Sequence, residues 1–112
     1  MNRLSLATWN INSVRLRIDR VIAFLKREKP EILCLQEIKC LDDQFPRKAF
    51  EAAGYKYIHL SGQKGMHGAA IVSKHEIGHA EPPPFCRPGH ARCAAVKVGG
   101  FELHNLYVPA GA

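Results

Sequence analysis

The sequence predicts an α/β fold with one mixed β-sheet and helices on one of its faces. Three observations lead there. Ile32-Leu33-Cys34-Leu35 is a short unbroken apolar run, the pattern of a strand buried on both sides. Val14, Ile18, Val21, Ile22 and Leu25 recur at helical spacing just ahead of it. Residues 4–9 alternate weakly as an earlier strand, so strand, helix and strand follow one another as in a crossover unit.

The elements follow in order. After the strand over 4–9, Asn12-Ser13 offers turn and N-cap chemistry for a helix beginning near Val14. Arg15, Arg17, Asp19, Arg20, Lys26 and Arg27 fall mostly off its apolar face, and Pro30 closes it. Residues 31–36 form the second strand. Residues 45–53 read as a short helix with Gly54 at its C-terminal cap. Residues 55–60 and 69–73 are strands flanking a loop that bears several glycines and Lys64. Glu81-Pro82-Pro83-Pro84 marks an exposed connection, because proline cannot pair inside a sheet. Residues 93–98 and 101–108 form a hairpin around Gly99-Gly100. Six strands and two helices cover one sheet face, and no further segment is available for the other.

The chain has 112 residues, enough for one domain at most. Its formal charge is +6 and its pI about 9.4, which favours an anionic partner. The four cysteines show neither Cys-x-x-Cys nor zinc-finger spacing, and Cys34 lies within the apolar run as a core residue. No signal peptide opens the sequence, and no stretch nears the about 18 apolar residues that cross a membrane. The expected compartment is reducing and cytoplasmic.

Candidate chemistry gathers at strand ends. Glu37 directly follows the buried run, and Asn10 ends the first strand. In α/β proteins the carboxyl edge of a sheet is where ligands bind. Oxygen donors there suit a hard cation such as Mg²⁺, which keeps several waters and needs few protein ligands. Tyr107, late in a strand, is a candidate hydrogen-bond or proton donor to developing charge. Lys64 is a candidate phosphate contact. The histidines show no metal-ligand spacing on a helix, and none is assigned to a metal.

Four motifs in order resemble the exonuclease III family of DNA repair nucleases, within the endonuclease/exonuclease/phosphatase superfamily. They are Trp9-Asn10-Ile11-Asn12-Ser13-Val14-Arg15, Leu33-Cys34-Leu35-Gln36-Glu37-Ile38-Lys39, Lys64-Gly65-Met66-His67-Gly68-Ala69-Ala70-Ile71-Val72-Ser73, and Asn105-Leu106-Tyr107-Val108-Pro109-Ala110-Gly111. The resemblance covers essentially the whole chain but only the first part of the family's length. It implies that residues 1–112 are the N-terminal part of a four-layer α/β sandwich, truncated, with two sheets face to face and helices outside.

The resemblance implies a Mg²⁺- or Mn²⁺-dependent phosphodiesterase acting on double-stranded DNA at abasic sites and 3′ ends, monomeric at full length. It makes Glu37 the metal ligand, with Asn10 beside it as ligand or phosphate contact. Tyr107 becomes the catalytic tyrosine, and Asn12, Lys39 and Arg92 become supports or backbone contacts. Met66-His67 and Ala69 depart from the family's usual aromatic and valine. The family's later Asp, Asn and Asp-His motifs, which activate water and stabilise the leaving group, are absent, so the stretch is expected to be inactive alone. Phosphatases of inositol lipids and sphingomyelinases share the superfamily, but Trp-Asn-x-Asn-Ser-Val-Arg favours the DNA repair branch. The rival from another class is a truncated, non-catalytic module that binds nucleic acid or a partner.

Overall fold

The computed structural model describes residues 5–62, 68–79 and 93–106. Lys64, Arg92 and Tyr107 lie outside the described residues. Strand β1 (Leu6–Asn10) leads to helix α1 (Ile18–Glu28) and strand β2 (Ile32–Gln36). A short helix α2 (Arg47–Ala52) precedes the antiparallel strands β3 (Tyr57–Gly62) and β4 (Gly68–Ser73). The strands β5 (Gly78–His79), β6 (Cys93–Val98) and β7 (Phe101–Leu106) follow.

The mixed sheet has the order β1-β2-β4-β3, with β1 and β2 parallel and the other pairs antiparallel. β2 is central and buried along its whole length, as its unbroken apolar run predicts. Its side chains alternate between two cores. Leu33 and Leu35, with Ala70 and Val72 of β4, pack under Val21, Leu25 and Phe50 of the helices. Ile32 and Cys34, with Ala69 and Ile71, face Val96, Val98 and Leu103.

That second core corrects one expectation. The hairpin over 93–106 does not extend the mixed sheet but forms a separate antiparallel sheet, β5-β6-β7, covering its other face. The hairpin instead presents Val96, Val98 and Leu103 as an apolar face to Ile32 and Ile71. The described residues therefore form three layers: helices, mixed sheet, second sheet. β1 remains an edge strand, and Leu6 on it is 50% exposed.

A second correction concerns the start of α1. Asn12-Ser13 does not cap it. The chain turns through residues 14–17 first, and the helix begins at Ile18, with no side-chain cap bond at Arg17. The Asn12 side chain is engaged elsewhere, as described below. The helix ends at Lys29 in the left-handed conformation, whose N–H donates to the Leu25 carbonyl (3.0 Å), with Pro30 next. α2 starts later than its apolar spacing suggests because Pro46 holds Phe45 extended. Its end is a Schellman cap: Tyr55 N–H donates to Phe50 O (2.9 Å) and Gly54 N–H to Glu51 O (3.0 Å), with Gly54 at φ 98°.

Cys34 is 3% exposed, and burial pushes its thiol from the ordinary 9.0 up to about 11. Between those values the unfolded chain releases this proton while the folded chain keeps it. The stabilisation is complete below pH 9 and is lost as pH rises toward 11, by about 2 kcal/mol. Urea unfolding at pH 8 and pH 10.5 is expected to show this loss in the wild type and a smaller one in Cys34→Ala. Equal pH dependence in both would remove Cys34 as its source.

Candidate functional site

The parallel pairing of β1 and β2 sets two carboxyl ends side by side. Asn10 pairs in register with Gln36, so Glu37 follows directly beyond the rung that Asn10 occupies. Hydrogen bonding continues past the strands. Ile11 N–H donates to Gln36 O (3.0 Å), Ser13 N–H to Glu37 O (2.8 Å) and Val14 N–H to Ile38 O (3.1 Å). On the other side, Ile38 N–H donates to Gly68 O at the start of β4 (3.2 Å). The segment carrying Glu37 is thus held between β1's loop and β4.

The backbone here is strained. Asn12 (φ 48°), Ser13 (φ 84°), Glu37 (φ 53°) and Lys39 (φ 54°) all adopt left-handed conformations without being glycine. Each such residue costs on the order of 1 kcal/mol or more and persists only where its surroundings over-determine it. The ladder bonds just described do so. Among the described residues, one further non-glycine residue, Lys29, has a positive φ, and it is the helix cap already described. Strain is therefore concentrated in the two loops at the sheet edge.

These loops join through side chains. Lys39 Nζ donates to Asn12 Oδ1 (2.5 Å), Arg17 to the Asn12 carbonyl (2.7 Å) and Arg15 to the Lys39 carbonyl (3.3 Å). Three cations therefore tie together the two loops, one of which carries Glu37, the one carboxylate in segments 10–14 and 36–40. Exposed cations on these loops can contact a phosphate, and carboxylate and amide oxygens at the strand ends can hold a hard cation. The structure brings Asn10, Asn12, Glu37 and Lys39 to one edge. Lys64, Arg92 and Tyr107 are not described.

Gln36 and Asn105 stand in the quoted motifs without an assigned role, yet the structure gives them one. Asn105 is 3% exposed, and its amide nitrogen donates to Leu35 O and Ala70 O, both at 2.9 Å. Gln36 Nε2 donates to Asn105 Oδ1 (2.6 Å) and Thr8 Oγ1 (2.9 Å). For Gln36 the available signal was a polar residue continuing the buried apolar run; the sequence offered none for Asn105. Both residues also line an open groove of about 360 Å³ beside β1, with Cys34, Leu103 and His104. A hollow of about 480 Å³ on the helical side of β1, lined by Trp9, Phe24, Arg20 and Arg27, contains no carboxylate.

Known proteins with this arrangement are informative. The chain is 39% identical over 69 residues to exodeoxyribonuclease III of Haemophilus influenzae, which spans 62% of this chain and 26% of that protein. It is 32% identical over 114 residues to recombination repair protein 1 of Drosophila melanogaster, covering 95% of this chain and 16% of that one. An AP endonuclease from Archaeoglobus fulgidus superposes with a TM-score of 0.87 at 39% identity, over 97% of this chain and 42% of its own. The 3′ phosphatase NExo from Neisseria, bound to a product DNA hairpin, superposes with a TM-score of 0.82 at 34% identity, over 94% of this chain and 41% of its own. The chain thus spans well under half of the length of each of these relatives. The described layers match the α/β fold of the AP endonuclease, and the resemblance to exonuclease III holds across curated and solved relatives alike. With the model of the Endonuclease/Exonuclease/phosphatase family matching residues 7–109, the chain belongs to that family.

Proposed function

We propose that this chain provides the cation- and phosphate-binding edge of a DNA repair phosphodiesterase, one that cuts at abasic sites and trims 3′ ends with Mg²⁺ or Mn²⁺. One observation carries the proposal: Glu37 and Asn10 sit at adjacent ends of parallel strands, on loops cross-linked by Arg15, Arg17 and Lys39. The names of the relatives, an exodeoxyribonuclease, an AP endonuclease and a 3′ phosphatase bound to DNA, support a DNA substrate.

The donors present suit the ion. A carboxylate and an amide offer hard oxygen donors. That matches Mg²⁺, which is held by one or two carboxylates and shares its remaining positions between water and phosphate. When bound, the ion supplies Lewis-acid polarisation of a phosphoryl oxygen. Glu37 holds it, and Asn10 orients a ligand or phosphate oxygen without adding charge. Lys39 and the two arginines attract and align the DNA backbone. The family likeness assigns Tyr107 to the scissile phosphate and Arg92 to a backbone contact, and Lys64 is a candidate phosphate contact. We assign the activation of water to groups other than the residues named here. We further assign the whole enzyme to the cytoplasm as a monomer. No helix among the described residues is long and apolar enough to cross a membrane.

The test is binding of residues 1–112 to a fluorescent duplex with one abasic analogue, with and without Mn²⁺, across a salt series. The expected result is salt-sensitive binding that Mn²⁺ strengthens through Glu37, without nicking. Binding indifferent to both Mn²⁺ and Glu37 would leave only a module that binds nucleic acid. Efficient nicking would overturn the assignment of water activation to other groups.

A further inference from the structure

We propose that the buried Gln36–Asn105 amide pair is a positioning device that fixes the Glu37 carboxylate for cation binding. The proposal rests on the reading of Glu37 as the cation ligand. It concerns how the fold holds that residue, which no resemblance assigns.

Primary amides are costly in an apolar interior unless every donor is bonded. The pair lies in the same layer between the sheets as Ile32, Cys34, Ala69, Ile71, Val96 and Val98, at the edge of that layer beside β1 with Cys34 and Leu103 next to it. Apolar side chains of similar size would fill the same space. The amides instead make a closed set of bonds. Both protons of the Asn105 amide are taken by Leu35 O and Ala70 O, which are opposite partners in the β2–β4 ladder. Both protons of the Gln36 amide are taken by Asn105 Oδ1 and Thr8 Oγ1. One pair of side chains therefore ties β1, β2, β4 and β7, and with them both sheets.

All four bonds converge on the last rungs of β2. Glu37 is the next residue, held at φ 53°. A non-glycine residue relaxes from that region toward extended backbone when its surroundings loosen. Because successive strand residues point to opposite faces, such a change re-aims the carboxylate. The main-chain bonds of Gln36 O, Glu37 O and Ile38 N restrain this segment from the sides. The amide pair restrains it from the layer between the sheets. Asn105 also lies two residues before Tyr107 in sequence, so one anchor serves both motifs.

The experiment is Mn²⁺ titration of the 112-residue chain, read from the free-ion paramagnetic resonance signal, alongside urea unfolding of each variant. The double variant Gln36→Met/Asn105→Leu removes both amides together and is expected to keep near wild-type stability. Its Mn²⁺ affinity is expected to fall about tenfold, the scale seen when groups that orient a ligand are lost. A purely structural pair would give the reverse, with stability reduced and the affinity of the folded chain unchanged. Thr8→Val, on the exposed edge strand, removes one Gln36 acceptor and is expected to weaken Mn²⁺ binding about threefold; it decides the matter if the double variant does not fold. Mn²⁺ binding that depends on Glu37 but is undiminished in the variants overturns this proposal alone. Absence of Glu37-dependent Mn²⁺ binding in the wild type overturns the reading of Glu37 and this proposal with it.

Discussion

Glu37→Gln is expected to abolish the Mn²⁺ response of this chain while leaving its fold in place. The substitution keeps the shape of the side chain and removes its charge. Glu37 is the one carboxylate in the two loop segments at the sheet edge, so no neighbour in them can take over its role. Loss of a hard anionic ligand should weaken the cation on the order of 100-fold or more, beyond the effect of removing a group that only orients one. Asn10→Ala should cost less, about tenfold, because a neutral amide contributes orientation and not charge. Stability should stay within about 1 kcal/mol, since Glu37 is only half-buried and its main-chain bonds to Ser13 and through Ile38 to Gly68 survive. The measurements are Mn²⁺ titration and urea midpoints on the same preparations. A Gln variant that binds Mn²⁺ as the wild type does would remove Glu37 from the site.

The elements were legible because their patterns are local. Four apolar residues in a row at 32–35 can only be a strand with two covered faces or a piece of buried helix, and Pro30 with the polar pair Gln36-Glu37 bounds them to strand length. The helical spacing from Val14 to Leu25 correctly showed a covered face, although residues 14–17 form turns. The partner on each face was not legible. Period-two alternation in residues 93–106 shows that one side is buried, but does not distinguish an added strand from a second sheet. That choice depends on packing between the sheets, where Val96, Val98 and Leu103 cover Ile32 and Ile71 although β1 and β3 are edge strands among the described residues.

The site divides in the same way. The placing of Glu37 and Asn10 at one sheet edge was visible because polar residues directly after apolar strands mark the carboxyl edge of an α/β sheet. The Lys39–Asn12 bond was not, since it joins residues 27 apart whose backbones must both turn left-handed to meet. Asn105 was hidden for another reason. An asparagine near the end of a strand is ordinarily solvated, and only the stacking of two sheets buries it at 3% exposure.

Gly68→Ala is expected to destabilise the fold by about 3 kcal/mol and to disturb the site from a distance. Gly68 has φ +125°, a conformation open to glycine and strained for any residue with a Cβ. The added methyl would also lie 2.6 Å from Ile38 Cγ1 and 3.3 Å from Cδ1. Ile38 is fully buried in the core under the helices and cannot swing aside as a surface side chain would. Relief must come from the backbone, and the Gly68 carbonyl accepts the Ile38 N–H directly after Glu37. The strain is thus delivered to the segment that carries the carboxylate, and Mn²⁺ affinity should fall even below the melting range. The steric part is separable. Removing the clashing atoms with Ile38→Ala costs stability alone, yet in the Gly68→Ala background it should cost at least about 1 kcal/mol less. Additive effects in that cycle would show that the clash is relieved elsewhere, and wild-type stability of Gly68→Ala would overturn both the conformational and the steric requirement for glycine.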